Sequence, residues 1–339
     1  MREDRAGQGH LRFLLLLVVV LLALPACTVA PPQGIPSLPL VPPTSETPPV
    51  PPRPYYLPHE GIWRMPEDTP TGRVPSALGS IEVEGLGSFS FNPSKVTSLR
   101  PDIFRPGYFS VFDVVAYLAD EGWFTMTYHF DRCLDTYVID RLDGRMDWWY
   151  RANYAGGWAE TNATRMDYYL YKDGMSISLA TRPQEYMAEL YDSFAGEVLR
   201  KSLNLGRVVI PEVRLGTVVH RDIPVSAHGV RADVFQPYVV TALDVLLSLA
   251  DQEHIRGLKL TWYSDLGAAI PVDSFFVEQI DDGDGVYDEE SSPQRGGWVY
   301  ETGSLDFSGY QGSHLRVPSD IRVIYSPEYI TWYWIGSRA

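Results

Sequence analysis

Two stretches of this chain, residues 100–120 and 231–251, match each other without a gap at a constant offset of 131 residues. Nine of the 21 aligned positions are identical. They include three charged pairs: Arg100/Arg231, Asp102/Asp233 and Asp113/Asp244. Self-similarity at a fixed offset is the signature of a repeated structural unit. The sequence therefore predicts two related folds rather than one large one.

The pattern around each copy predicts strands, one short helix and further strands. Ser110 and Thr241 stand where a helix cap is expected, and the apolar residues that follow them recur at helical spacing. Segments typical of strands cover residues 80–83, 88–91, 137–139, 148–150, 168–171, 177–179, 208–213, 217–220, 275–277, 298–300, 321–325 and 330–334. We expect an α+β fold in which each copy is a mixed sheet with one short helix packed on it.

The N-terminus indicates export. Three arginines precede a 12-residue apolar run at positions 13–24, which is too short to span a bilayer and has the length of a signal-peptide core. The run ends in Leu-Pro-Ala-Cys, which resembles a bacterial lipobox, so we expect residues 1–27 to be a lipoprotein signal ending at a lipidated Cys27. An ordinary secretory signal is the alternative. In both cases the protein is exported, and with lipidation it is anchored by its N-terminal lipid to the outer face of an envelope membrane.

Residues 28–76 are expected to be a proline-rich tether and lead-in, since 11 of the 24 residues at positions 31–54 are proline. As polyproline II at about 3.1 Å per residue, this stretch would hold the folded part on the order of 70 Å from the membrane.

Charge and cysteine content narrow the range of partners. The formal net charge is −15, with no basic stripe of the kind that phosphate backbones require, so nucleic acid is not expected as a partner.

The chain has only two cysteines. If Cys27 is lipidated, Cys133 has no cysteine of the chain left to pair with, and we expect it to be a small buried residue rather than a nucleophile.

Short motifs of the first copy resemble the transcobalamin-like C-terminal domain family, a β-grasp-like module of bacterial surface proteins and of animal cobalamin carriers. These motifs are SVFDVVAYLAD, YVIDRLDG, WWYRANYAGGW and LYKDGMSISL. The second copy is similar through TALDVLLSLAD, FFVEQIDDG, GGWVYETG and VPSDIRVIY. The resemblance implies two tandem β-grasp-like domains, at residues 77–182 and 208–339, joined by a linking helix within residues 183–207. Nothing in the chain is long and helical enough to supply the barrel that completes the carriers' cobalamin site, so corrinoid binding stays only an alternative.

The acidic insertion of the second domain is a candidate calcium site. Alternating carboxylates around a glycine turn can wrap oxygen ligands around one ion, as in an EF-hand loop. The candidate ligands are Asp282, Asp284, Asp288 and the carbonyl of Val286. A solvated acidic turn is the alternative.

Aromatic residues form the second candidate site. Five of them fall within eleven residues: Trp148, Trp149, Tyr150, Tyr154 and Trp158. Because neighbouring strand residues face opposite sides of a sheet, one set belongs to the core. If the other set is exposed, it offers flat aromatic area for sugars, planar ligands or partner loops. The alternative is that both faces are covered.

No catalytic residue is predicted, because the seven histidines fall in no metalloprotease or nucleophile motif. We therefore expect a non-enzymatic protein that binds an unknown envelope protein, a glycan or a small molecule. The alternatives are a polysaccharide-binding module that uses exposed aromatics, a corrinoid-binding component and a hydrolase with an unrecognised site.

Overall fold

The computed structural model describes residues 53–58, 69–154, 164–266, 270–282, 286–287, 296–305 and 317–336. All of these described residues belong to one compact unit. The fold is α+β, as the sequence predicts, and most of its regular structure is strand. Within the described residues, no helix is both long and apolar enough to cross a membrane.

The described residues contain three helices and fourteen strands. The helices are α1 (Val111–Asp120), α2 (Gln184–Leu203) and α3 (Ala242–Asp251). The strands are β1 (Arg53–Pro58), β2 (Gly79–Val83), β3 (Gly87–Phe91), β4 (Met126–Asp131), β5 (Thr136–Leu142), β6 (Trp148–Tyr154), β7 (Met175–Thr181), β8 (Val208–Leu215), β9 (Val218–Val225), β10 (Gly257–Leu266), β11 (Ile270–Asp281), β12 (Val286–Tyr287), β13 (Gly296–Gly303) and β14 (Tyr329–Gly336).

The second half of the fold repeats the strand arrangement of the first. In the first half, comprising β2–β7 and α1, a sheet has the order β3-β2-β7-β6, and its only parallel pair is β2 with β7. In the second half, comprising β8–β14 and α3, the order is β9-β8-β14-β13, with β8 parallel to β14. The hairpin β4-β5 corresponds to the pair β10-β11. The same order and the same strand directions support duplication of one unit.

Both repeat helices, α1 and α3, begin with the same capping hydrogen bond. The Asp113 carboxylate accepts a hydrogen bond from the Ser110 backbone N–H at 2.7 Å, and the Asp244 carboxylate accepts one from the Thr241 N–H, also at 2.7 Å. Each aspartate is the third residue of its helix, where such a side chain reaches back to the cap. Asp113 and Asp244, which match at the 131-residue offset, thus occupy equivalent helix positions.

Helix α2 links the halves and lies within the predicted segment 183–207. It buries Met187, Leu190 and Phe194 along one stripe, as expected of an amphipathic helix. Phe194 packs with Trp149 of β6, their ring centroids 6.1 Å apart. The helix is therefore part of the core of the first half, where its apolar stripe covers β6.

The structure corrects several predictions about elements. β1 falls inside the predicted tether, yet it pairs with β10 along its whole length. Residues 168–171 and 321–325 form no strand; each stretch contributes only one isolated bridge, at Leu170 and at Val323. In these bridges Leu170 and Val323 pair with Ser110 and Thr241, the residues that precede α1 and α3. The two stretches therefore hold the starts of these helices in place. The sequence analysis did not predict β4 and β10, although apolar and polar residues alternate along Met126–Asp131 and over residues 258–262.

Candidate ligand-binding site

Each half contains a buried arginine that holds aspartates together. In the first half, Arg100 Nη1 lies 2.7 Å from Asp167 Oδ2, and Arg100 Nε donates to Asp102 Oδ1 at 2.9 Å. The same Nη1 donates to the backbone carbonyl of Asp135 at 3.3 Å. Burial alone would favour the neutral form of Arg100, but the surrounding carboxylates raise its pKa above the ordinary value. The cluster fixes the loop before α1 to the β4-β5 turn.

The second half repeats this cluster atom for atom. Arg231 Nη1 lies 3.1 Å from Asp320 Oδ2, and Arg231 Nε donates to Asp233 Oδ1 at 3.0 Å. Arg231 Nη1 donates to the Asp273 carbonyl at 2.8 Å. Asp135 and Asp273 are thus equivalent positions, and each has a positive φ, of 50° and 42°. The equivalence extends to the tripeptides that they begin, Asp-Thr-Tyr and Asp-Ser-Phe.

The two halves meet at the repeat itself, with pseudo-two-fold contacts. Phe104 and Phe235 form an antiparallel bridge. The Arg105 N–H donates to the Val234 carbonyl at 2.8 Å, and at the equivalent place the Gln236 N–H donates to the Ile103 carbonyl, also at 2.8 Å. Equivalent residues therefore exchange equivalent bonds, which is the geometry of an isologous interface within one chain.

Two residues reach across this junction from equivalent places. Lys172 of the first half donates through Nζ to the Val272 carbonyl and, at 2.9 Å, to Ser274 Oγ of β11. Burial, followed by the nearby Arg231, lowers the pKa of Lys172 to about 7. Tyr325 of the second half packs against Tyr168 of the first, with ring centroids 6.2 Å apart, and burial, followed by the charge of Asp135, raises the pKa of Tyr325 to about 12. Both residues lie five positions after the aspartate that binds the buried arginine.

An open cavity of about 190 Å³ lies beside the first arginine cluster, at the junction. The Asp102 side chain is 62% exposed and the Asp135 side chain 23% exposed. Tyr238 is 92% exposed and holds a positive φ of 76°. The polar and aromatic lining is supplied by Arg100, Asp102, Asp135, Tyr168, Lys201, Tyr238 and Tyr325.

The cavity has acceptors on one side and a single helix lysine on another. The Tyr168 hydroxyl donates to Asp135 Oδ2 at 2.7 Å, which orients that carboxylate. Lys201 Nζ lies 3.9 Å from the centre of the Tyr325 ring. Burial lowers the pKa of Lys201, and the attraction of Asp135 opposes that effect. The site can therefore accept hydrogen bonds from a cationic or amide-bearing ligand that competes with Lys201.

The aromatic candidate surface is corrected for the three residues that the structure describes fully. Trp148, Trp149 and Tyr150 are at most 3% exposed. Trp149 lies beneath α2, the Tyr150 hydroxyl donates to the Thr164 carbonyl at 2.9 Å, and Trp148 packs under the Arg145 guanidinium at 4.9 Å. Both faces of β6 are therefore covered. The side chain of Tyr154 and the whole of Trp158 lie outside the described residues.

The acidic loop is described only in part. Asp282 follows β11 and is half-buried, and the Val286 backbone pairs with Asp281 in the β11-β12 hairpin. Strands therefore flank this segment, where an EF-hand has helices. Asp284 and Asp288 lie outside the described residues, so the calcium site stays a prediction. No group of His, Cys, Asp and Glu within the described part of the chain is arranged to hold a metal ion.

Cys133 differs from its prediction. It is exposed in the turn between β4 and β5, where its N–H donates to Asp131 Oδ1 at 2.7 Å, so it is not a small buried core residue. The structure gives its sulfur as disulfide-bonded, so the expectation of a lone thiol is also wrong. The rest of that bond lies outside the described residues, as does Cys27.

The cavity residues were not predicted as a site. Two signals pointed to them: the identity of Asp102 with Asp233, and the change from Gly107 to Tyr238 inside an otherwise similar repeat. Asp135 was harder to find, because its equivalence with Asp273 follows from hydrogen bonds rather than from a constant offset.

Comparison with known proteins gives no relative. No protein-family model matches the chain, and neither the curated proteins nor the solved structures contain a match.

Proposed function

We propose that this is an exported, lipid-anchored, non-enzymatic protein that binds a partner in the cavity at the junction of its two halves. The observation that carries this proposal is the open cavity between two acidic side chains, with Tyr238 exposed beside it. A large exposed aromatic residue that also holds a positive φ is uncommon, and such strain concentrates at functional sites. A ligand that enters the cavity and packs on the Tyr238 ring would account for both the exposure of this residue and its positive φ.

The proposal includes a β-grasp-like fold for each half. Its support is a four-stranded mixed sheet with one short helix, present twice. The anchoring part of the proposal rests on the Leu-Pro-Ala-Cys sequence at Cys27. Gly72 and Arg73 bond to Asp233 and Asp273 of the second half, and the Ser76 N–H donates to Asp173 of the first. The tether in this proposal is therefore shorter than the sequence alone predicts.

Two of the alternative functions, polysaccharide binding and corrinoid binding, lose their main support. Polysaccharide binding through the aromatic strand needed exposed rings, and Trp148, Trp149 and Tyr150 are buried. Corrinoid binding needs a large site, whereas the junction cavity holds about 190 Å³, below the roughly 300–1,000 Å³ that is usual for small-molecule pockets. A side chain or a short peptide segment fits such a volume better.

Site-specific photo-crosslinking in the native envelope tests the proposal. A crosslinking amino acid at Tyr238 should give a discrete adduct, which Asp102→Asn reduces. The control position is Trp123, which is 57% exposed in the first half and away from the lining of the cavity. Adducts that are equal at the two positions, or absent at both, would contradict binding at the cavity.

A further inference from the structure

The second half has its own version of this cavity, and the chain itself fills it. The Gly72 N–H donates to Asp233 Oδ2 at 2.8 Å, and the Gly72 carbonyl accepts from the Tyr108 hydroxyl at 2.9 Å. Arg73 then places its Nε 2.8 Å from Asp273 Oδ2. An extended segment carrying an arginine is therefore the occupant of this filled site.

The filled and open sites are equivalent by the repeat. Asp233 corresponds to Asp102 at the 131-residue offset, and Asp273 corresponds to Asp135 through the arginine clusters. The occupant changes the exposure of both carboxylates. The Asp233 and Asp273 side chains are 11% and 8% exposed, against 62% and 23% for Asp102 and Asp135. The acceptors that bind Gly72 and Arg73 thus have uncovered counterparts.

The rims of the two sites differ at one position, where Gly107 of the filled site corresponds to Tyr238 of the open site. Gly107 has a φ of 93°, and a Cβ there would come within 3.2 Å of Val74, so the docked segment lies directly on this glycine. Tyr238 holds the equivalent position with nearly the same backbone conformation. The open site, which no described segment of the chain enters, places an exposed aromatic ring where the filled site leaves room.

Chain connectivity explains why no segment among the described residues occupies the open site. The residues that enter β2 are extended and cross the second half, whereas β8 is entered from helix α2. That helix ends at Leu203, and the chain then turns sharply at Leu205 and Gly206, both with positive φ. Leu203 and Leu205 are 72% and 87% exposed, which adds apolar surface at the helix end that supplies Lys201.

We propose that the open cavity binds an extended segment of a partner protein that carries an arginine, in the manner in which the filled site binds Gly72–Arg73. Asp102 accepts the backbone N–H that precedes the arginine, Asp135 faces the guanidinium, and Tyr238 packs on the following residue. This inference rests on the proposed function, because it names the ligand of the same cavity.

The charges of the site suit that ligand. The cations facing the cavity are Lys201 and Arg100, and Arg100 is already paired with Asp167, Asp102 and Asp135. Lys201 carries its charge beside the cavity, with Nζ 3.9 Å from the centre of the Tyr325 ring, so it repels an incoming guanidinium. Lys201 is therefore a competitor, and its removal should strengthen binding rather than weaken it.

Binding of a synthetic peptide with the sequence of residues 69–76, TPTGRVPS, to the full chain tests the inference. Measured by calorimetry, the wild type should bind one equivalent. Asp102→Asn should weaken binding by about tenfold or more, because a hydrogen bond to a charged group is lost. Citrulline in place of the peptide's arginine should weaken it similarly, and Lys201→Met should tighten it. Because Asp102 is also a partner of the buried Arg100, the melting temperature of its variant is measured in parallel, and the peptide is titrated at a temperature at which the variant is folded.

The matched control is Asp233→Asn, in the filled site. Peptide binding that weakens in Asp233→Asn but not in Asp102→Asn would mean exchange at the filled site and would overturn the inference. Absence of binding at millimolar peptide, or equal binding of the citrulline peptide, would overturn it too. If crosslinking at Tyr238 still gave its discrete adduct, the junction would remain a binding site and only the identity of the ligand would be wrong.

Discussion

At the scale of single residues, the buried arginines decide how the two halves are held. Arg100 is 4% exposed and Arg231 is 2% exposed, so neither charge can be left without a carboxylate. The buried carboxylate partners of the two arginines, Asp167 and Asp320, differ in one respect. Asp167 also accepts from the Thr136 hydroxyl, whereas Asp320 Oδ1 has no hydrogen-bond partner among the described residues.

That difference predicts unequal losses in a matched pair of variants. Asp167→Ala and Asp320→Ala should each lower the free energy of unfolding by about 3–5 kcal/mol, because each leaves a buried arginine without its fully buried carboxylate partner. The loss should be larger for Asp167→Ala, which also orphans Thr136. Urea unfolding of both variants checks this, and a larger loss for Asp320→Ala would contradict the assignment.

Lys172 predicts a pH dependence. Its folded pKa of about 7 lies below the unfolded value near 10.4, so the unfolded state binds more protons between these pH values and stability rises with pH. From pH 7 to pH 9, the wild type should gain about 2 kcal/mol relative to Lys172→Met. Urea unfolding of both proteins at the two pH values measures it. A difference that stays constant with pH would mean that Lys172 titrates normally.

At the scale of elements, α1 and α3 are capped in the same way, but their capping aspartates bind different preceding loops. Asp113 also accepts from the Leu99 N–H at 2.7 Å, and Asp244 from the His228 N–H at 2.8 Å. One carboxylate thus starts the helix and fixes the segment that precedes it. The helix starts are braced further by the isolated bridges Ser110–Leu170 and Thr241–Val323.

Cap removal should therefore act locally. Ser110→Ala should cost about 1 kcal/mol and speed amide hydrogen exchange at the start of α1, while Thr241→Ala should do the same at the start of α3. Each variant serves as the control for the other. Faster exchange at both helices in either variant would show that the helix starts are coupled rather than independent.

At the scale of the whole molecule, the junction makes the two halves depend on each other. Phe104 and Phe235 are both buried, with ring centroids 5.7 Å apart, and the core of the first half includes Val234 and Phe235 of the second. The second half therefore completes the core of the first, and the first half does not bury all of its apolar surface alone.

We expect the folded part to unfold in one transition. Phe104→Ala and Phe235→Ala should each cost about 3–5 kcal/mol through the cavity that they leave, whereas Trp123→Ala, at an exposed position, should change stability by less than about 0.5 kcal/mol. Calorimetry of the full chain tests cooperativity. Two separate transitions in the wild type would show that the halves are independent domains.

Anchoring also belongs to this scale. Cys27→Ser should leave an unlipidated precursor, whereas the mature wild type should carry acyl mass at its N-terminus. Because the chain has only two cysteines, an acylated Cys27 cannot form a disulfide with Cys133. Mass spectrometry of the mature protein, with and without reductant, distinguishes the two states. An N-terminus without acyl mass would end the lipoprotein hypothesis.

The sequence by itself determined the duplication, the α+β class and the two short repeat helices, because these depend on local patterns: identity at a fixed offset, caps and periodicity. It also located Arg100 and Arg231. Only the tertiary structure decided that Trp148, Trp149 and Tyr150 are covered, since a strand pattern does not say what packs on its second face. It likewise decided that the segment before β2 fills one site while its counterpart stays open. Occupancy depends on where the chain leads after each element, and residues distant in sequence meet only when the whole molecule has folded.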